Sequence, residues 1–169
     1  ANPVSSAGPL TLLFPKWLPG NHAPRGQIEK LAGLTINADG QLLQWTRDPV
    51  DVYAFHVNVP AGARQLDLTF QFLSATEEDQ GRIVVSPEII NLQWQSVSLY
   101  PAGWATRQIP VVASLTLPEG WRAASALRSA SGSGERLTFA TVDYETLVDS
   151  PVFAGRHFRS EPLGHDVTL

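Results

Sequence analysis

The most constraining feature of this sequence is an alternation of apolar and polar residues, with a period of two, that recurs along most of the chain. Within 53–59 every second residue is Tyr, Phe or Val, and within 66–72 every second residue is Leu or Phe. This alternation is typical of a half-buried β-strand, because successive side chains point to opposite faces of a sheet. A helix is indicated only at 143–149, where Asp143 can cap two turns before Pro151. The pattern predicts an all-β fold, an antiparallel β-sandwich or a curved saddle-like sheet, with at most one short helix near 143–149.

Two turn segments predict how neighbouring strands connect. Asp39-Gly40 lies between Leu34–Asn37 and Leu42–Trp45, and Asp-Gly is a strong signal of a two-residue β-hairpin turn. Pro60–Arg64 separates the two alternating segments described above. It predicts a second hairpin, in which Gly62 supplies a positive φ.

The apolar residues change phase between Trp94 and Val97, so that residues before and after this point fall on opposite faces of an extended chain. The shift predicts either a bulge near 95–96 in one continuous strand or two separate strands with a break. Further strands are predicted at Leu10–Phe14, Ile89–Trp94, Val97–Tyr100, Val111–Leu117 and Leu137–Thr141.

The composition argues against several classes of protein. The chain has 12 Lys and Arg against 16 Asp and Glu, and it lacks the basic stripe that nucleic-acid binding requires. No apolar run approaches the ~18 residues of a membrane span. The absence of Cys excludes disulfides, thiolate metal ligands and a Cys nucleophile.

Because the chain starts at Ala1 and has no Met, we expect a processed or excised piece of a longer protein.

One segment, residues 15–26, fits neither a strand nor a helix. It holds three Pro and two Gly in twelve positions, and Pro15 ends the preceding strand because it cannot donate to a ladder. Ordered irregular loops of this length are uncommon and often functional. This loop supplies the candidate site residues: Trp17, Pro19, Gly20, Asn21, His22 and Arg25.

The sequence carries no motif of an assembled active site. The patterns G-x-S-x-G, G-x-x-x-x-G-K-[ST], G-x-G-x-x-G and H-E-x-x-H are all absent. The four histidines, His22, His56, His157 and His165, are too far apart in sequence for two of them to form a short-spaced ligand pair on one element. We therefore predict no catalytic residues, no metal site and no cofactor in this chain, and we interpret His56 as a solvent-side or hydrogen-bonded strand residue.

Four segments carry a resemblance to a known family: 12–34, 45–55, 99–103 and 147–155. The most distinctive is the aromatic-Pro-Gly loop within 12–34. Together they resemble the β-rich N-terminal domain of the glycyl aminopeptidase family. Members of this family are zinc metallopeptidases with a thermolysin-like catalytic domain and a C-terminal PDZ domain. The resemblance extends from about Gly8 to about Phe158.

The resemblance implies that residues 1–159 form a non-catalytic N-terminal domain that lacks the family's first strands, and that 160–169 begin the linker toward an absent catalytic domain. It implies that zinc and catalysis reside in that absent domain. By this resemblance, the N-terminal domain would pack on the catalytic domain and help shape the cleft for peptide substrates. The candidate residues of the 15–26 loop would lie at this cleft or at the interface between the domains, with Pro19–His22 facing the catalytic domain. A periplasmic or secreted location and a dimer through an exposed edge strand are further expectations.

Two alternatives remain open at this point. The first is a free-standing carbohydrate-binding or adhesion-type β-sandwich module, in which Trp17 and Trp104 would lie at the surface while Trp45 and Trp94 lie in the core. The second is a small hydrolase with a Ser/His/Asp site assembled from distant positions.

Overall fold

The computed structural model describes residues 7–18, 20–81, 83–131, 136–164 and 167–168. Most of them lie in short antiparallel strands, and the α-helix among them is α1, Tyr144–Val148, which confirms the predicted all-β class. The chain divides into two compact units. The first takes the described residues up to Ser74 together with Trp94–Ile109, and the second takes Ala75–Gln93 with the described residues from Pro110 onward. Within these ranges, no helix has the length and apolar character needed to cross a bilayer.

The strands are numbered in chain order. They are β1 Gly8–Leu13, β2 Leu31–Ala38, β3 Gln41–Leu43, β4 Trp45–Arg47, β5 Ala54–Val59, β6 Leu66–Phe72, β7 Ile89–Leu92, β8 Tyr100–Pro101, β9 Pro110–Val111, β10 Ser114–Thr116, β11 Arg122–Ser125, β12 Ser129–Ser131, β13 Arg136–Phe139, β14 Val142–Asp143, β15 Val152–Gly155, β16 Pro162–Gly164 and β17 Val167–Thr168. Short 3₁₀ helices lie at Ile28–Lys30, Glu78–Gln80, Trp94–Ser96 and Thr106–Gln108.

The first unit contains two sheets, with strand orders β4-β5-β1-β8 and β3-β2-β6. β1 runs antiparallel to β5, so that Leu13 lies opposite Ala54. Alternation along β5 directs Phe55 into the core and His56 toward solvent. Phe14 and Phe55 are among the most deeply buried side chains, and burial of each contributes about 1.5–3 kcal/mol to stability.

The two predicted hairpins have different outcomes. Asp39-Gly40 connects the paired strands β2 and β3 as predicted, and its φ values of 46° and 87° are those of a type I′ turn. The hairpin prediction at Pro60–Arg64 is wrong, because β5 and β6 belong to different sheets. Gly62 has the expected positive φ of 84°, but the segment carries the chain from one sheet to the other. Alternation identifies a strand with a buried face but does not identify its partner.

The change of phase after Trp94 marks a break between two separate strands and not a bulge within one strand. Trp94–Ser96 forms a 3₁₀ helix, in which Val97 N donates to Trp94 O at 3.1 Å and the Ser98 hydroxyl donates to the same oxygen at 2.7 Å. The strand predicted at Val97–Tyr100 is therefore wrong for residues 97–99, because this local bonding competes with a ladder, and only Tyr100 lies in a strand, at the start of β8. The core prediction for Trp94 is confirmed, since its side chain is buried.

The second unit consists of the sheets β10-β13-β12 and β11-β15-β7 and the strand pairs β14-β9 and β16-β17. Helix α1 begins as predicted, because the Asp143 carboxylate accepts from Thr146 N at 3.0 Å and from its hydroxyl at 2.7 Å. The Thr146 backbone N–H is the main cause that lowers the pKa of Asp143. Pro151 follows the helix two residues after its C-cap.

Candidate functional site

The candidate loop, residues 15–26, leaves the sheet where β1 ends. Lys16 O accepts from Arg25 N at 2.9 Å and from Gly26 N at 3.2 Å, and Trp17 pairs with Pro24 as an isolated antiparallel bridge. The two arms of the loop are therefore fixed to each other at its base. Of the described residues, Leu18 and 20–23 form its tip.

A close approach between two backbone segments holds this base in place. A Cβ atom added at Gly26 would lie 1.9 Å from the carbonyl oxygen of Pro15, so only glycine fits. The Tyr53 hydroxyl donates to Gly26 O at 3.0 Å, and Tyr53 O accepts from Phe14 N at 2.9 Å. Tyr53 thus binds both ends of the loop to the residues that precede β5.

A second loop, residues 48–53, lies beside the first because the antiparallel pairing of β1 and β5 brings them to the same end of the sheet. The Asp48 carboxylate accepts from the backbone N–H groups of Val50 and Asp51, each at 2.8 Å, which fixes the turn. Lys16 Nζ lies 3.3 Å from Asp51 Oδ1 and 5.4 Å from the centre of the Tyr53 ring. The two side chains of this ion pair are partly exposed, and such a pair contributes about 0–1 kcal/mol, so it orients more than it stabilises.

The candidate residues belong to the base and the tip of the 15–26 loop. Trp17, Gly20, Asn21, His22 and Arg25 are all exposed, whereas Pro19 lies outside the described residues. The exposed fraction of the Trp17 side chain is 63%.

Sequence reasoning missed two exposed residues of the neighbouring 48–53 loop. Val50 is 91% exposed and Val52 is 40% exposed, and they flank Asp51, to which the Lys16 side chain is bound. Their exposure depends on where the 48–53 loop lies, which the local sequence pattern does not indicate.

A Thr/His/Asp chain of hydrogen bonds lies on the solvent face of the same sheet. His56 Nδ1 is 3.0 Å from Thr11 Oγ1, and His56 Nε2 is 2.9 Å from Asp48 Oδ2. The bond from His56, followed by those from the backbone N–H groups of Asp51 and Val50, lowers the pKa of Asp48 to about 2. These contacts confirm that His56 is a hydrogen-bonded strand residue.

This chain of bonds bears on the dispersed Ser/His/Asp alternative. Thr11 lies inside β1, opposite His56, and its carbonyl oxygen accepts from Ala102 N at 2.9 Å. Catalytic hydroxyl groups in nucleophile elbows are instead presented on sharp strained turns. We therefore interpret the three side chains as a link between β1, β5 and the 48–53 loop.

The described ranges contain no group of three or more His, Asp or Glu side chains that could hold a metal ion. His157 is 3.7 Å from Glu88 in the second unit, and His165 lies outside the described residues. Within the first unit, burial and the charge of Asp51 raise the pKa of Tyr100. The contacts around the 15–26 loop are backbone hydrogen bonds, the Tyr53 hydroxyl bond, the Lys16–Asp51 ion pair and the contact of Lys16 with the Tyr53 ring, which together fix the base of the loop.

The chain is a β-rich domain with an exposed loop that backbone hydrogen bonds fix at its base. The family model for the "Peptidase M61 N-terminal domain" matches residues 2–156, so the chain belongs to this family. A solved structure of an aminopeptidase N family protein from Idiomarina loihiensis has the same fold, with a TM-score of 0.73 and 18% sequence identity. The match covers 94% of this chain and 27% of that chain. A comparison with curated proteins gives no match. The family match confirms the resemblance to an N-terminal peptidase domain.

Proposed function

We propose that this chain is the non-catalytic N-terminal domain of a zinc metallo-aminopeptidase, which packs on the catalytic domain of the same polypeptide and helps shape its substrate cleft. Membership of the M61 N-terminal domain family carries the proposal. Zinc and a PDZ domain belong, in this proposal, to other parts of that polypeptide. A periplasmic or secreted location and a dimer through an end strand such as β4 are part of the same proposal.

The 15–26 loop supports a role beside the substrate cleft. The bonds from Arg25 and Gly26 to Lys16 O fix its backbone before any partner arrives. A loop that is already ordered loses little conformational entropy on binding, so its exposed side chains can contribute more of their interaction energy. His22, Asn21 and Gly20 lie at the tip and are exposed, where a peptide or a neighbouring domain can reach them.

His22→Ala in the full-length enzyme tests this role. We expect kcat/KM for peptide substrates to fall by about tenfold, equivalent to about 1.4 kcal/mol, with an unchanged melting temperature because the side chain is exposed. His157→Ala is the matched control, since His157 is also exposed but lies in the second unit. Unchanged activity and substrate range in His22→Ala would remove the loop from the cleft. Unchanged activity after deletion of 1–159 would overturn the role of the whole domain.

The exposure of Trp17 favours one second candidate, a carbohydrate-binding module, because a flat exposed indole can stack on a sugar ring. Trp104, the other candidate for such a platform, is half-buried. Retention of the 169-residue chain on immobilised polysaccharide, abolished by Trp17→Ala, would support this candidate. No retention is expected under the peptidase proposal.

A further inference from the structure

We propose that Ile89, Ala124 and Phe153 form the face through which this domain docks on the catalytic domain that follows it in the polypeptide. These residues lie on β7, β11 and β15, the three strands of one sheet in the second unit, and we call them the outer face. The inference rests on the proposed function and adds where the contact lies and that the facing surface is apolar.

The register of the strands places the three side chains on one side of the sheet. Phe153 lies directly opposite Ala124 on one neighbouring strand and opposite Asn91 on the other. Ile89 lies opposite Gly155, which is two residues from Phe153 on the same strand. Residues that are opposite each other, or two apart on one strand, share a face of the sheet. Ile89 is therefore a diagonal neighbour of Phe153, within reach of its ring.

The strands of this sheet are apolar on both sides. β15 reads Val-Phe-Ala-Gly and β7 reads Ile-Ile-Asn-Leu, and Val152 and Ala154 form the buried side. On the other side Phe153 is 51% exposed and Ile89 is 57% exposed. Continuous apolar runs are typical of sheets that are covered on both faces, whereas β5 alternates and carries polar residues on its solvent side. The outer face thus has the composition of a side that another layer covers.

The chemistry of this side of the sheet indicates an apolar partner surface. Arg122 is the charged residue in the two rows of side chains that cross it. The Arg122 guanidinium lies 4.8 Å from the centre of the Phe158 ring, so its cation is already engaged within the domain. Depletion of charged residues and enrichment of Phe are typical of the centre of an interface.

The chain leaves the sheet beside the outer face. Gly155 is the last residue of β15, and the next backbone N–H, that of Arg156, donates to Glu88 O at 3.0 Å. Phe158 then contacts Arg122, which is opposite Gly155 and so lies on the same side of the sheet as the outer face. Residues 156–158 are therefore held next to the proposed contact.

The occupant is the domain that follows and not a second copy. The family match ends at residue 156, and the part matched by this fold makes up 27% of the Idiomarina loihiensis chain. A domain tethered a short way beyond 156–158 meets the outer face at an effective concentration of about millimolar, which favours it over a separate molecule. Interfaces between domains of one chain bury about 600–1,500 Å², so the outer face would be the centre of a larger contact.

Cysteine labelling tests the outer face directly, because the chain has no Cys of its own. Ala124→Cys introduces one thiol at an exposed position and replaces a small residue with another small one. We expect a maleimide to label it about tenfold more slowly in the full-length polypeptide than in the 169-residue chain, because a docked domain excludes solvent. The unsubstituted full-length protein gives the background from any cysteines elsewhere.

Ala130→Cys is the matched control. Ala130 is also exposed and lies in the second unit, but it belongs to β12, in the sheet β10-β13-β12. Its labelling rate should be the same in the two proteins. Equal rates for Ala124→Cys in the two proteins would overturn the proposal. Protection of Ala124→Cys that appears in the 169-residue chain and grows with its concentration would also overturn it, since the occupant would then be a second copy.

The deletion of 1–159 separates the two levels of inference. If the deletion impairs the enzyme while Ala124→Cys is labelled at equal rates, the docking face is wrong and the proposed function stands. If the deletion leaves the enzyme unimpaired, the proposed function is wrong, and so is the inference that rests on it.

Discussion

Gly26→Ala tests whether the close approach between Gly26 and Pro15 fixes the base of the candidate loop. The new Cβ atom would lie 1.9 Å from Pro15 O, a distance that must grow to at least 3.0 Å. Both atoms at this contact belong to the main chain or are bound directly to it. A change of side-chain rotamer therefore cannot relieve the clash, and one of the two backbone segments must move.

The cost of this movement follows from the contacts that it breaks. Separation of the two segments removes the bonds from Gly26 N to Lys16 O and from the Tyr53 hydroxyl to Gly26 O, each worth about 1 kcal/mol. Residual crowding adds about 1–3 kcal/mol. Because Ala has less conformational freedom than Gly in the unfolded chain, the substitution also stabilises the folded state by about 0.4–1 kcal/mol. We expect a net loss of about 3 kcal/mol, which lowers the melting temperature by roughly 6–12 °C in a chain of this length.

Circular dichroism during heating and urea unfolding of the 169-residue chain measures this loss. Gly20→Ala is the matched control, because Gly20 has a φ of +72° and open space around its Cβ position. Gly20→Ala should lower the stability of the folded chain by only about 1 kcal/mol, which is the cost of a left-handed backbone conformation at an Ala residue. A stability of Gly26→Ala within about 0.5 kcal/mol of the unsubstituted chain would refute the reasoning.

The remaining predictions concern two carboxylates. The pKa of Asp48 is about 2 in the folded chain against an ordinary 3.8, so its stabilising effect is present above pH 3.8 and is lost as the pH falls toward 2. The difference in melting temperature between the unsubstituted chain and Asp48→Asn should therefore shrink as the pH falls through this range, and a difference independent of pH would contradict the assignment. Asp143→Ala should lower the melting temperature by a few degrees, and Asp143→Asn by less because Asn also caps helices. Equal losses in both variants would contradict the role of the cap.

Local signals in the sequence predicted those parts of the fold that depend on adjacent residues. Asp39-Gly40 specifies its turn through backbone dihedrals, and Asp143 specifies a helix start through bonds to a residue three positions away. Pairing between distant strands carries no comparable signal. The connection at Pro60–Arg64 looks the same in sequence whether it joins partners or leads to another sheet.

The candidate site was predictable to a similar extent. The Pro and Gly content of 15–26 identified the loop, because such a segment cannot continue a ladder. Its neighbour, 48–53, was not predictable, since only the pairing of Leu13 with Ala54 places the two loops side by side. Val50 and Val52 were missed for the same reason: their exposure depends on where the second loop lies and not on its local pattern.

The bridge between Trp17 and Pro24 has a consequence for protein engineering. In the sequence, residues 18–23 lie between the two bridge residues, while the bonds from Arg25 N and Gly26 N to Lys16 O, which tie the loop to the sheet, lie outside this segment. A segment of different length or composition can therefore replace the tip without disturbing the sheet, as in the exchange of recognition loops on an antibody framework. The domain is in this sense a scaffold for grafting, with a defined pair of attachment points at Trp17 and Pro24.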